Sequence, residues 1–133
     1  MLKKFTNKKG FTLMEMLIVV AIIAILVAIA IPTFSGSLAK ANAATDLANI
    51  RSGYASAQIK AMTETVTDGT KFYLQKDGSV APTGTGDYTC KGKSTDVSGT
   101  NEIGGQDFAL VWEKGDTITY TISGGKVTAI TKG

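Results

Sequence analysis

From Phe11 to Ile31 the chain carries a single charge, Glu15, and is otherwise apolar apart from Thr12. Twenty-one residues at about 1.5 Å each make a helix of about 31 Å, enough to cross a hydrocarbon core. The run is rich in β-branched residues (Ile18, Val19, Val20, Ile22, Ile23, Ile25, Val27, Ile29 and Ile31), which lowers helix propensity in water. In lipid only a helix satisfies the backbone of such a segment. Pro32 follows, and a proline inside a continuing helix removes a hydrogen bond, so a kink or loosening is expected near Ala28 to Ile31.

Beyond Pro32 the pattern changes. Phe34, Leu38, Ala41, Ala44, Leu47, Ile50, Tyr54, Ala57 and Ala61 recur at steps of three and four, which predicts an amphipathic helix with that stripe toward a core. Lys40, Asn42, Asp46, Asn49, Ser52 and Ser56 fall on the opposite face. Gly36 and Gly53 are read as tolerated irregularities. The helix is expected to end near Met62 or Thr63, before the β-branched Thr65-Val66-Thr67 and the Asp68-Gly69 turn.

A third pattern fills the remainder. Lys71-Phe72-Tyr73-Leu74-Gln75 reads as a short strand with a turn at Asp77-Gly78. Pro82 to Gly105 is rich in Gly, Ser, Thr and Asp and reads as an exposed loop. Phe108, Leu110 and Trp112 alternate, then Ile118, Tyr120 and Ile122, then Val127 to Ile130, which predicts a three-stranded antiparallel meander with the Phe72 strand as a possible fourth. Trp112 and Tyr120 are expected in the core with polar tips reaching solvent. The expected class is α+β: a long N-terminal helix, membrane-spanning in its first half and amphipathic in its second, packed on a small antiparallel sheet of three to four strands. The divisions are 1–10, 11–32 and 33–133, the last comprising the helix 33–63, a loop and short strand 64–106, and the meander 107–131.

Charge sharpens this picture. The formal net charge of +3 is misleading, because Lys3, Lys4, Lys8 and Lys9 precede the apolar run; without them 10 basic and 11 acidic residues remain, a net charge of −1. No block of like charge survives, which argues against a strongly basic nucleic-acid surface. The leading lysines instead keep the N-terminus cytoplasmic and send the C-terminus across the membrane. With no histidine and one cysteine, the chain has no His-based triad, no Cys-His dyad, no His-ligated zinc site and no internal disulfide, and an enzyme is not expected. Asp87, Asp96, Glu102 and Asp107 are acids in or beside the loop, but their spacing matches no calcium-ligand pattern, so a solvated loop is expected and no cofactor or metal site. Cys90 lies in that polar loop without a partner and is expected to add little stability.

Glu15 fits neither a plain anchor nor a secretory signal. A charged group in lipid costs about 2.5 to 3.5 kcal/mol at the bilayer centre and less near an interface, and it calls for a partner. The stretch Lys8-Lys9-Gly10-Phe11-Thr12-Leu13-Met14-Glu15, followed by an apolar helix to Pro32, resembles the type IV pilin and pseudopilin family, whose precursors carry class III signals. The resemblance implies removal of a leader between Gly10 and Phe11 by the prepilin peptidase, N-methylation of Phe11, and an assembly role for Glu15, the fifth mature residue, with the Phe11 amine. Outside about Lys8 to Pro32 the likeness is architectural. The family often has a glycine in this helix where filaments loosen; here there is none between Phe11 and Ile31, so Pro32 would act alone.

Three other readings weigh against this one. Thr12-Leu13-Met14-Glu15 is also an S/T-x-x-E capping box, which explains an acid in a first helical turn without any assembly role. Ala28-Ile29-Ala30 resembles an A-x-A signal cleavage site, though that leaves Glu15 and the Gly10-Phe11 junction unexplained. A plain single-pass anchor is the third. The resemblance implies a filament subunit: a homopolymer serving adhesion, twitching motility or DNA uptake, with prepilin peptidase, the membrane assembly machinery and bilayer lipid as partners. It would sit in the cell membrane before assembly and in a surface pilus afterwards. The alternatives are a pseudopilin of a type II secretion or competence system and a membrane-anchored binding domain that never polymerises.

Overall fold

A computed structural model describes residues 12–84, 86–98 and 102–133. The chain divides into two units, Met1–Ser37 and Leu38–Gly133, with one helix, α1 (Leu13–Thr63), contributing to both. In the first unit the described residues are all α1 apart from Thr12. The helix assignment runs through Pro32. Proline withholds only the one N–H that would reach the Ala28 carbonyl, and the next residue adds a side-chain bond to the same turn, Thr33 Oγ1 donating to the Ile29 carbonyl at 3.4 Å.

The second unit is a helix on a sheet. Its strands are β1 (Thr70–Leu74), β2 (Val80–Ala81), β5 (Ile118–Ser123) and β6 (Lys126–Lys132), in the order β2-β1-β5-β6 and antiparallel throughout. Phe72 stands opposite Tyr120, and Tyr120 opposite Ile130. Alternation in β5 places Ile118, Tyr120 and Ile122 inside, as its period of two requires. A two-residue turn joins β5 to β6, and Gly124 and Gly125 supply the positive φ values (63° and 77°) that it needs.

The face the helix turns to this sheet keeps Leu47, Ile50, Ala57 and Ala61 of the predicted stripe, with Tyr54 half-buried beside them, but departs from it toward the N-terminal end. Buried are Ala43, Asp46, Leu47, Ile50, Gly53, Ala57 and Ala61, whereas Ala41 and Ala44 are exposed, as are Leu38 and, in the first unit, Phe34. Alanine occupies both faces, so its spacing does not choose between them. The core takes the face that accommodates bulk: a Cβ on Gly53 would collide with the Tyr120 hydroxyl and lie 2.6 Å from Leu74 Cδ1, so the missing side chain is what lets the sheet approach. Tyr120 then donates its hydroxyl to the Ile50 carbonyl at 2.6 Å.

Phe108 to Trp112 forms no strand, which corrects the expected meander; β1 takes the place beside β5 instead. The alternation itself is real, since Leu110 and Trp112 are buried and Val111 is exposed. The backbone, however, is committed elsewhere. Asp107 accepts the Ala109 N–H at 2.9 Å, Ala109 adopts φ +50°, and Trp112 exchanges bonds with Ser94. The loop expected to be exposed also contributes to the core through Tyr88, Cys90 and Ile103, and it carries a short hairpin of β3 (Glu102–Ile103) and β4 (Gln106–Asp107).

Candidate functional site

The helix starts where its first turn can satisfy its own orphan donors. Glu15 N–H donates to Thr12 Oγ1 at 3.0 Å, and Thr12 N–H donates to Glu15 Oε2 at 3.1 Å, a reciprocal capping box. The acid also sits at the positive end of the helix dipole. Gly10 and Phe11, the processing and methylation positions read from the sequence, lie outside the described residues. Glu15 Oε1 has no hydrogen bond among the described residues and is open to a further donor.

After this cap the surface is apolar on every side. From Leu13 to Ile31 the large apolar side chains are 46% to 66% exposed. An 18-residue window of α1 has a mean hydropathy of 3.0, none of it buried, so by length and composition the helix can cross a membrane. An apolar surface of this extent needs lipid or other apolar chains around it.

The family model described as the prokaryotic N-terminal methylation motif matches residues 5–31, which include the capped turn, Glu15 and the apolar run. The chain carries the class III signal of type IV pilins. The motif supports a prepilin-processed protein like the pilins and pseudopilins and points to a structural protein, and the apolar helix fits membrane anchoring. No solved structure matches the chain.

A second polar cluster lies in the core of the Leu38–Gly133 unit, where the sequence reading placed solvent. Asp46 is fully buried, not on the outer face of the helix. Its Oδ1 accepts the Tyr88 hydroxyl at 2.6 Å and the Lys91 N–H at 2.8 Å, while Oδ2 accepts the Gly92 N–H at 2.8 Å and Trp112 Nε1–H at 3.1 Å. The Trp112 and Tyr120 tips therefore bond inside the protein and do not reach solvent. The signal available in the sequence was position: Asp46 lies in register with Ala43, Leu47, Ile50, Gly53 and Ala57, and a stripe drawn through those residues includes it.

Cys90 is another correction. It lies in the core at 2% exposure rather than in a solvated loop, because the N–H of Cys90 bonds the Asp116 carbonyl and its own carbonyl accepts from Gly115, tying this part of the loop to the 115–116 turn. Burial first, then the charges of Asp46 and Asp116, push its thiol up to about 12. Burial first, then its bond to Asp46, raises the Tyr88 hydroxyl well above the usual range. The loop acids serve the backbone in two cases, Asp87 accepting from Lys76 N–H and Asp107 from Ala109 N–H. Among the described residues no three acids or cysteines gather closely enough to hold a metal ion.

Proposed function

We propose that the chain is the structural subunit of a type IV pilus filament. The observation that carries this reading is a lone acid in the first turn of a helix that is apolar on all sides, inside the methylation motif. The subunit waits in the cell membrane as a single-pass protein with its N-terminus in the cytoplasm. Prepilin peptidase removes residues 1–10, and Phe11 is N-methylated. The assembly machinery then draws the subunit out of the lipid into a homopolymer whose apolar helices bundle together. A filament needs a heterologous contact repeated without closure, and a rod with apolar surface on every side supports one. Pro32, one hydrogen bond short, is where that rod loosens on packing. Adhesion, twitching motility or DNA uptake follow as uses.

Intact mass of the extracted protein, with electron microscopy of sheared surface material, tests this reading. The expected result is a methylated chain starting at Phe11 and fibres containing it. A start at Met1 or Ile31 would overturn the reading. Normal processing without fibres, with export or transformation lost on deletion, would identify a pseudopilin.

A further inference from the structure

Asp46 does more than satisfy core donors, because the groups it holds adjoin three lysines. It binds the backbone N–H groups of Lys91 and Gly92, fixing the chain on which Lys91 and Lys93 flank Gly92, and it binds Trp112, two residues before Lys114. Ser94 and Trp112 lock the two lysine-bearing segments together: Ser94 N–H donates to the Trp112 carbonyl at 3.0 Å and Trp112 N–H to Ser94 Oγ at 3.3 Å. Gly92 closes on the helix so tightly that a Cβ there would stand 2.7 Å from Ala43 N. The Lys91 and Gly92 backbone is thus held by Asp46, and the Ser94–Trp112 bonds tie together the segments that carry Lys93 and Lys114.

The three lysines line one open concavity of about 410 Å³, together with Asn42, Asp96 and Glu113. Among the described residues the ion pairs are Lys60 with Glu64 and Lys132 with Asp116, and neither involves these lysines. The lining sets three lysines against two acids, a formal excess of one positive charge, and an anion with more than one charge that draws the flexible lysine side chains toward it gains from that excess. Asp96 and Glu113 in the same lining leave little net charge to attract a long polyanion, so the gain must come from direct contact between the lysines and a compact anion. Asn42 can add an amide donor beside the lysines, which bind phosphate oxygens as point charges. We propose that this concavity is a binding site for a phosphate group, with Lys91, Lys93 and Lys114 as its ligands.

The test uses the full-length chain in neutral detergent, labelled with ¹⁵N and titrated with inorganic pyrophosphate at about 0.15 M salt. Saturable shifts of the Gly92 and Lys114 amides are expected. Replacing all three lysines (Lys91→Gln, Lys93→Gln, Lys114→Gln) should weaken binding about tenfold or more, and Asp96→Asn with Glu113→Gln should strengthen it. A second arm places the chain in phosphatidylcholine nanodiscs with and without phosphatidic acid. Shifts at the same amides produced by phosphatidic acid alone would assign the phosphate to a lipid headgroup, and shifts only with pyrophosphate to a soluble anion. The proposal is overturned if neither source gives a saturable shift, if chloride reproduces the shifts, or if the triple variant, still folded by the fluorescence of its single tryptophan, responds as the parent does.

Discussion

Asp46 is a formal charge in the core with no salt bridge among the described residues, and what makes it tolerable is four donors on two oxygens. Buried carboxylates are retained only when their lone pairs are filled, since an unpaired one costs several kcal/mol. Cys90, near this cluster, has no such partners among the described residues, and its burial keeps the thiol protonated. Its value rises from 9.0 to about 12, so between those limits the unfolded chain has lost a proton that the native chain keeps. Stability should therefore fall as pH rises through that window, by at most about 1.4 kcal/mol per pH unit from this group. Cys90→Ala should flatten the fall; Tyr88 and Tyr120 are raised in the same direction, chiefly by burial and to a smaller extent by Cys90, so most of their contribution persists in the variant. Denaturant unfolding of the full chain at about pH 8 and about pH 10.5, followed by Trp112 fluorescence, measures it. Equal slopes in the two proteins would mean that the thiol is accessible. Replacement by Ser should instead cost about 1 to 3 kcal/mol, as an unpaired hydroxyl in the core.

For the elements, the contact between helix and sheet turns on Gly53. Glycine in a helix interior normally costs up to about 1 kcal/mol relative to alanine, so Gly53→Ala would stabilise an isolated helix. Here the added methyl meets the Tyr120 hydroxyl and Leu74, whose side chain is completely buried. Overpacking of this kind costs about 1 to 3 kcal/mol and should outweigh the propensity gain. Gly36→Ala is the control, because nothing lies within 4 Å of its would-be Cβ. Thermal melts should show Gly53→Ala lower than the parent and Gly36→Ala equal or higher. The reverse order would show that helix propensity, not packing, governs this position.

On the scale of the whole molecule, the proposed assembly would give Glu15 a second state to serve. In the chain described here it is a helix cap, with Oε2 on the Thr12 N–H. Removal of the leader would create an α-ammonium at Phe11, and methylation would leave that charge in place. A Glu15 carboxylate pairing with the Phe11 ammonium of a neighbouring subunit in apolar surroundings would meet little competition from water and would fix the stagger between rods. Glu15→Ala should then leave processing and membrane insertion largely intact while strongly reducing fibres in the sheared fraction. Glu15→Gln should also impair assembly, since it can hydrogen-bond but has no charge to pair. Fibres from Glu15→Ala at parental levels would limit Glu15 to its role as a cap.

Several features were legible from the sequence because they depend on neighbours along the chain. The capping box needs residues three apart, the anchor needs an uninterrupted apolar run, and the β5–β6 hairpin needs alternation around two glycines. The choice of helix face, the buried Asp46, the packed Cys90 and the unpaired Phe108 to Trp112 segment were decided by partners 18 to 70 residues away in the chain. A carboxylate on a helix reads as solvated until the loop that brings N–H groups to it is folded. An alternating segment likewise reads as a strand until its backbone is seen bonded to a serine rather than to a neighbouring strand. Local periodicity specifies which residues can face inward together, but only the tertiary fold supplies the donors that make a polar residue affordable there.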